Sequence, residues 1–77
     1  MRLDQAILKQ SYVVHSLEKT QQDLFAKLTH FGFFPGARVC INQLAPIFKD
    51  PLLVEVEGST VAISRAYARL IQIEEAE

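Results

Sequence analysis

Residues 30–36 have the sequence His-Phe-Gly-Phe-Phe-Pro-Gly, and they decide how this chain folds. A helical periodicity leads into this stretch, because Leu24, Leu28 and Phe31 follow one another at i, i+4 and i+7. A glycine directly after the last periodic residue is typical of the left-handed position that ends a helix. We therefore predict one helix over about 20–31 that ends at the first glycine of the stretch.

Both ends of this helix carry local signals. Thr20 and Asp23 have the spacing of a helix start, in which the threonine hydroxyl accepts a hydrogen bond from the Asp23 amide. At the other end, a Schellman ending with Gly32 in the left-handed conformation predicts that Leu28 and Phe33 pack together. The helix is thus expected to begin and end sharply.

Short strands and tight turns are expected in the rest of the chain. A type II turn over 34–37 is predicted because proline fixes φ at its second position and glycine permits a positive φ at its third. Ser64 is expected to cap one helical turn over 65–69. Apolar alternation and β-branched residues predict five strands, at 12–17, 38–44, 52–57, 61–63 and 70–74.

Three finer predictions concern single positions. The more apolar face of the first strand includes His15, which predicts that this side chain is partly buried. A two-residue hairpin loop is expected at 58–59. Near the N-terminus, Asp4 caps a helical turn in which Leu3 and Leu8 make contact, or else this segment is an extended arm held by its leucines.

The fold class follows from the number and length of these elements. Five strands with sharp turns in 77 residues favour a small, strongly bent barrel over an open sheet, because closure removes exposed strand edges. The chain is mainly β, with one helix between the first and second strands and a helical turn before the last. At this length we expect a single domain over residues 1–77.

Composition excludes several functions. The formal net charge is −1, from eight Lys and Arg against nine Asp and Glu, and no basic cluster is present. Nucleic-acid binding domains carry a basic excess, so we expect no nucleic-acid partner. Apolar runs are far shorter than the roughly 20 residues that span a bilayer, and the N-terminus lacks the apolar region of a secretory signal. We therefore expect no membrane insertion and a cytoplasmic location.

Metal and cofactor sites are not expected. Cys40 is the only cysteine, which rules out a disulfide within the chain and suits a reducing cytosol. His15, His30, Cys40 and Asp50 are the candidate metal ligands, but they lie on different predicted elements, whereas a metal site needs several convergent ligands. The sequence also lacks a nucleophile, acid–base or phosphate-loop pattern, so no catalytic residue is assigned and no enzyme is predicted.

Several segments have an order and spacing that together are specific. They are Gly32-Phe33-x-Pro35-Gly36-x-x-Val39, Ala45-Pro46, Asp50-Pro51, Val54-x-Val56-x-Gly58 and Val61-Ala62-Ile63-x-Arg65-x-x-Ala68-x-x-Ile71-x-Ile73. From Leu3 to Ile73 the chain resembles the ferrous iron transport protein A (FeoA) family. One departure is the loop from Ala45 to Pro51, which is one residue longer than the family's usual form and has Lys49 where glycine is common.

This resemblance implies a fold, a role and a partner. FeoA proteins are small cytosolic SH3-like barrels that act with FeoB, a membrane permease that carries a cytosolic GTPase domain and moves Fe²⁺ inward. The resemblance therefore implies one five-stranded SH3-like domain that binds and modulates an FeoB-type permease without catalysing a reaction. A similar domain in iron-dependent repressors implies the alternative of a metal-sensing domain. Weak self-association is expected as well.

Partner contacts are expected on the helix and on the loop that follows the second strand. The apolar stripe of the helix either seals the core or docks a partner, and an exposed cluster beside it would mark a contact site. Arg65 and Arg69 either contact an acidic partner or form a solvated face, and Asp50 is expected to bond within its own loop. The partner-binding candidates are Leu24, Leu28, Phe34, Ile47, Phe48 and Asp50.

Overall fold

The computed structural model describes residues 1–18, 22–45 and 49–76. The predicted cap at Thr20 and the candidate contact residues Ile47 and Phe48 lie outside the described residues. All of the predicted strands and the predicted helical turn lie within them.

The described residues form a short 3-10 turn, five strands and two helices. The 3-10 turn, Leu3–Gln5, comes first. The other elements follow in the order β1 (Ser11–Leu17), α1 (Gln22–His30), β2 (Arg38–Leu44), β3 (Leu52–Val56), β4 (Ser59–Ile63), α2 (Arg65–Ala68) and β5 (Ile71–Glu75). The five predicted strands, the helix and the helical turn before the last strand are confirmed.

One antiparallel sheet contains all five strands, in the order β4-β3-β2-β1-β5. The expected closure of the strand ladder is not seen, since no pairing joins β4 to β5 among the described residues. Instead, the N-terminus covers the outer edge of β5: Arg2 bridges to Gln72, and the Ile73 N–H donates to the Met1 carbonyl at 2.7 Å. The sheet therefore has one edge covered by the chain's own first residues.

A single apolar core lies against the inner face of this sheet. It contains side chains from all five strands, from both helices and from the 3-10 turn. Burial of each large apolar side chain contributes about 1.5–3 kcal/mol to folding. The buried residues are Leu3, Tyr12, Val14, Leu17, Leu28, Phe33, Ala37, Val39, Ile41, Leu52, Val54, Val56, Ile63, Ala68, Ile71 and Ile73.

A β-bulge in β1 changes which side chains face the core. The register of β1 against β5 shifts between Val14 and Ser16, so Leu17 joins Tyr12 and Val14 on the buried side. An extra residue in a strand reverses the alternation beyond it. The prediction that His15 is partly buried is therefore wrong. Its side chain is exposed, with Nδ1 lying 3.2 Å from a Glu74 carboxylate oxygen on β5.

Helix α1 ends as predicted. Gly32 has φ +101°, its N–H donates to the Thr29 carbonyl at 3.0 Å, and the Phe33 N–H donates to the Leu28 carbonyl at 3.0 Å. These two bonds define the Schellman ending. Leu28 and Phe33 are both fully buried in the core, as that ending requires of its apolar pair.

The second reversal is the turn over 34–37. The Ala37 N–H donates to the Phe34 carbonyl at 3.0 Å and Gly36 has φ +93°, which are the features of the predicted type II turn. The turn is also bonded to β1, because the Gly36 N–H donates to the Val14 carbonyl at 2.9 Å. The chain therefore leaves α1 and enters β2 with its direction fixed by five consecutive positions, 32–36.

The β3–β4 hairpin differs from the prediction by one residue. Val56 pairs with Ser59, so the two loop residues are Glu57 and Gly58, not 58–59. Glu57 has φ +47° and Gly58 has φ +85°, and a positive φ at both positions is the signature of a type I′ turn. Glutamate rarely adopts this conformation, so the loop was predicted one residue later, at 58–59.

At the N-terminus the helical turn is confirmed and its predicted details are wrong. The N-cap of the 3-10 turn is Arg2, and the Asp4 carboxylate lies 3.0 Å from the Arg2 Nε. Leu3 is buried, but the Leu8 side chain is 45% exposed, so the two leucines do not form a buried apolar pair. The chain then makes a turn over 7–10, in which the Gln10 N–H donates to the Ile7 carbonyl at 3.2 Å and Lys9 has φ +69°, before it enters β1.

Candidate functional site

An exposed aromatic side chain marks the junction between α1 and β2. Phe33 is fully buried, whereas its neighbour Phe34 is 43% exposed. Leu24 and Phe31 are partly exposed at the two ends of the apolar stripe of α1. Together we call Leu24, Phe31 and Phe34 the α1 surface. Its backbone is fixed by the reversals on either side of Phe34.

Basic groups border the α1 surface. Lys27 and His30 lie in the last turn of α1, and both are exposed. The Lys27 Nζ lies 5.3 Å from the centre of the Tyr67 ring, within the range of a cation–π contact. This contact links α1 to α2. The α1 surface therefore combines apolar side chains with a lysine and a histidine at its border.

Leu28, one of the predicted contact residues, is not on this surface. It lies at the centre of the stripe, where it is fully buried in the core. The middle of an amphipathic stripe faces the core, and only its margins remain accessible. Leu28 is therefore a core residue and offers no surface for a partner.

Asp50, another predicted contact residue, lies at the opposite end of β2 from Phe34. Phe34 precedes the first residue of β2 and Asp50 follows the last. A strand of seven residues spans about 23 Å at about 3.3 Å per residue. The candidate residues thus divide between two ends of the sheet, and Asp50 belongs to the end where the loop after β2 returns to β3.

Hydrogen bonds engage Asp50 and Arg65 within the protein. The Asp50 Oδ1 accepts from the Arg65 backbone N–H at 3.0 Å, which is a bond outside its own loop, and the bond within that loop stays a prediction. The Arg65 side chain donates to the Lys49 carbonyl at 2.8 Å and to the Asp4 carbonyl at 3.2 Å. Arg65 therefore joins α2, the loop before β3 and the N-terminal turn. The Arg69 Nε makes a single, longer contact of 3.8 Å with the Asp4 carboxylate.

The four candidate metal ligands lie on separate elements. His15 is on β1, His30 ends α1 and Cys40 is in the middle of β2, where its Sγ lies 3.9 Å from the Ile41 carbonyl oxygen. Asp50 is bonded to α2, as described above. Within residues 1–18, 22–45 and 49–76, no three His, Cys, Asp or Glu side chains come together in a way that could hold a metal ion.

A shallow cleft of about 210 Å³ on the outer face of the sheet was not predicted. Its polar groups are one guanidinium, two carboxylates, a hydroxyl and a thiol. The Asn42 Nδ2 donates to a Glu55 carboxylate oxygen at 3.1 Å beside it. Alternating outward positions on β2 and β3 could have revealed this cleft. Its lining residues are Ser11, Arg38, Val39, Cys40, Glu55, Glu57 and Gly58.

A second exposed apolar site was also missed. The side chains of Ile7 and Leu8 are 60% and 45% exposed, in the turn that precedes β1. The Ile7 N–H donates to the Tyr12 hydroxyl at 3.0 Å, and the Lys9 N–H donates to the Ile41 carbonyl at 2.8 Å. These bonds fix the segment beside the middle of β2.

The strand order, the helix between β1 and β2 and the helical turn before β5 define a small SH3-like domain. None of the described helices has both the length and the apolar character that a bilayer span requires. The sequence model of the FeoA domain matches residues 1–75, and the chain belongs to that family. The resemblance inferred from the sequence is confirmed.

Two solved FeoA proteins are similar in sequence and in fold. Iron(II) transport protein A from Clostridium thermocellum is 28% identical, with a TM-score of 0.89 over 97% of this chain and 45% of that chain. FeoA from Stenotrophomonas maltophilia, solved with zinc, is 26% identical, with a TM-score of 0.83 over 96% of this chain and 89% of that chain. The latter is described as an SH3 domain protein and a candidate bacterial ferrous iron transport activating factor.

Other likenesses are limited to the fold. T. acidophilum IdeR is 20% identical, with a TM-score of 0.83 over 99% of this chain and 34% of that chain. This chain spans less than half of the C. thermocellum protein and about a third of IdeR. No curated protein matches the sequence.

Proposed function

We propose that this chain is a small cytosolic accessory protein of ferrous iron uptake, which binds the cytosolic GTPase domain of an FeoB-type permease and modulates transport. The observation that carries the proposal is the FeoA family match over residues 1–75. The names of the C. thermocellum and S. maltophilia proteins, which refer to iron(II) transport, support the same role. The domain acts by binding and catalyses no reaction.

We place the permease contact on the α1 surface. Phe34 is the most exposed of the four phenylalanines in the described part of the chain, and the turn that holds it is fixed by backbone bonds on both sides. Aromatic anchors on rigid backbone bind at low entropic cost, and such residues dominate the energetics of interfaces. Phe34 is therefore the central contact, with Leu24 and Phe31 beside it.

The basic side chains beside the α1 surface favour a partner with acidic residues around its contact surface. The exposed Lys27 and His30 border the α1 surface, so an acidic partner surface would complement them. Such rim charges change the association rate and its salt dependence more than the affinity. Binding at this site should therefore become slower as the salt concentration rises.

A titration with a matched pair of variants tests the contact. The labelled chain is titrated with the cytosolic GTPase domain of the cognate permease, and amide shifts are mapped by NMR. Phe34→Ala should weaken binding at least about tenfold, as expected for a central aromatic contact. Leu8→Ala removes an apolar side chain of similar exposure, 45% against 43%, from the turn before β1 and should leave binding unchanged.

The same titration locates other contacts. Ile47, Phe48 and Asp50 remain predicted contacts, and shifts at 49–51 without shifts near Phe34 would move the site to that end of the sheet. Shifts confined to the Glu55 and Glu57 face would contradict both placements. For the role in transport, uptake of Fe²⁺ is compared in cells with and without the chain, and unchanged uptake would contradict it.

A metal-sensing domain is the second candidate. The fold likeness to T. acidophilum IdeR and the zinc in the S. maltophilia FeoA structure favour it. Anaerobic titration of the pure chain with Fe²⁺ or Mn²⁺ separates the candidates. Stoichiometric binding tighter than micromolar would support metal sensing, whereas its failure together with permease binding would support the accessory role.

A further inference from the structure

Strand β4 leaves one edge of the sheet unpaired. It is bonded on one side to β3 through five consecutive residue pairs, from Val56↔Ser59 to Leu52↔Ile63. No described residue pairs with its other side. The two residues that flank a two-residue hairpin loop form a hydrogen-bonded pair, and such pairs alternate along the ladder. The N–H and C=O groups of Thr60 and Ala62 therefore point away from β3, along the free edge.

Within the described residues, this edge lacks the features that usually protect an edge strand. Exposed edge strands are commonly blocked by lysine, proline, a bulge or a covering segment. The five residues of β4 are Ser-Thr-Val-Ala-Ile, and their register with β3 has no shift. The opposite edge, β5, is covered by the first residues of the chain, as described above. The edge of β4 is thus open to an added strand.

We propose that two copies of this chain associate weakly by pairing their β4 strands antiparallel, about a two-fold axis at Val61. In this register Thr60 of each copy lies opposite Ala62 of the other. Each such pair exchanges two backbone hydrogen bonds, so four outward N–H groups and four outward C=O groups are satisfied together. The pattern of outward groups is therefore complementary to itself, which is what a two-fold interface requires.

Charge and size permit this pairing. Thr60 and Ala62 are exposed, small and uncharged, so the backbones can approach. The nearest charged side chain on that face is Glu55, which lies opposite Thr60 on β3. In the paired sheet the two Glu55 residues stand three strand spacings apart, about 14 Å laterally. That exceeds the Debye length of about 8 Å at physiological ionic strength, so they do not oppose association.

The association is expected to be weak. Two five-residue edges bury much less than the roughly 1,200 Å² of a stable protein interface. Pairing should therefore be detected only at high concentration, or where a partner holds several copies close together. The proposal does not rest on permease binding, because only backbone groups of β4 carry it.

Dilution of the isolated full chain tests the proposal. Amide shifts are recorded by NMR from about 20 μM to 2 mM, and the average mass is measured by sedimentation over the same range. We expect the mass to rise towards that of a dimer and concentration-dependent shifts to centre on the amides of Thr60 and Ala62. A monomer at every concentration would overturn the proposal. Shifts centred on Phe34 or on Ile7 and Leu8 would overturn it as well.

Two double variants then test the register. Thr60→Lys with Ala62→Lys places like charges opposite each other twice and should weaken dimerisation roughly tenfold. Thr60→Lys with Ala62→Glu has the same positions changed, yet places opposite charges across the axis, and should dimerise at least as well as the natural chain. Equal behaviour of the two variants would overturn the register. If the amide shifts in β4 appeared only after the permease domain was added, the edge would be a permease contact, and self-pairing would be overturned.

Discussion

The carboxylate of Asp50 accepts a hydrogen bond from the backbone N–H of Arg65, 15 positions along the chain, at 3.0 Å. Helix α2 has only four residues, too few to be stable without help from its surroundings. Its N-terminal N–H groups are bonded by Asp50 and by the Ser64 Oγ, which accepts from the Tyr67 N–H at 3.3 Å. Two segments of the chain thus fix one helical turn.

Replacing Asp50 should therefore lower stability, even though its side chain is exposed. Asp50→Ala removes the acceptor, and we expect the free energy of unfolding to fall by about 1 kcal/mol, as for the loss of a helix cap. Asp50→Asn keeps an acceptor oxygen without the charge and should cost less. Urea unfolding measures both. A loss below about 0.3 kcal/mol for the alanine variant would show that the bond contributes little to stability.

Arg65 and Arg69 should differ sharply, although they are one helical turn apart. Arg65→Ala removes bonds to the carbonyls of Lys49 and Asp4, and should cost about 1–2 kcal/mol. Arg65→Lys should recover only part of this, because an ammonium cannot bond two acceptors in the geometry of the guanidinium. Arg69→Ala loses one long ion pair of 3.8 Å whose arginine is largely exposed, and should cost about 0–0.5 kcal/mol.

Unfolding of these three variants in urea gives the comparison. A further readout separates Arg65 from a generic surface residue: amide exchange near Lys49 and Asp4 should increase in Arg65→Ala and stay unchanged in Arg69→Ala. Equal losses from both alanine variants would contradict the role of Arg65 in joining the three segments.

The hairpin loop offers a substitution that should stabilise the protein. Glu57 has φ +47°, a left-handed conformation that asparagine adopts much more readily than glutamate. Glu57→Asn creates the Asn-Gly pair preferred in type I′ turns, and should raise the free energy of unfolding by about 0.5 kcal/mol. Glu57→Ala removes the same charge without this preference and should not stabilise. An equal gain in both variants would point to charge instead of backbone conformation.

Local backbone chemistry explains which parts of the fold were predictable from the sequence. The reversals at Gly32 and Gly36 were predicted because glycine permits a positive φ and proline fixes φ wherever they occur. The strands were predicted from their alternation. In contrast, the bulge that turns Leu17 inward depends on how β1 pairs with β5, and the position of the hairpin loop depends on how β3 pairs with β4. Neither pairing is encoded in a single segment.

The candidate site was predictable only in part for a related reason. A helical stripe indicates which residues face inward but not where its accessible margin lies, so Leu28 was grouped with Leu24 although only Leu24 is partly exposed. Asp50 was grouped with Phe34 among the candidate contacts, yet β2 lies between them. The exposure of Ile7 and Leu8 depends on backbone bonds to Tyr12 and Ile41, which no local pattern predicts.

Phe33 and Phe34 are adjacent in the sequence but should have opposite effects when replaced. Phe33 is fully buried beside the Schellman ending, and truncation of a buried phenylalanine to alanine costs about 3–5 kcal/mol. A domain of 77 residues has a total stability of about 4–12 kcal/mol, so Phe33→Ala should leave little folded protein. Phe33→Leu keeps the site apolar and should cost about 1–2 kcal/mol, which permits measurement.

Phe34→Leu is the matched variant, because the same substitution is made one residue later. Its free energy of unfolding should stay within about 0.5 kcal/mol of that of the natural chain, since the side chain is 43% exposed and mutations at such sites have small effects. Binding to the permease domain should show the reverse order, weakened in Phe34→Leu and retained in folded Phe33→Leu. Comparable losses of stability at the two positions would mean that Phe34 also belongs to the core, and would remove it from the proposed contact.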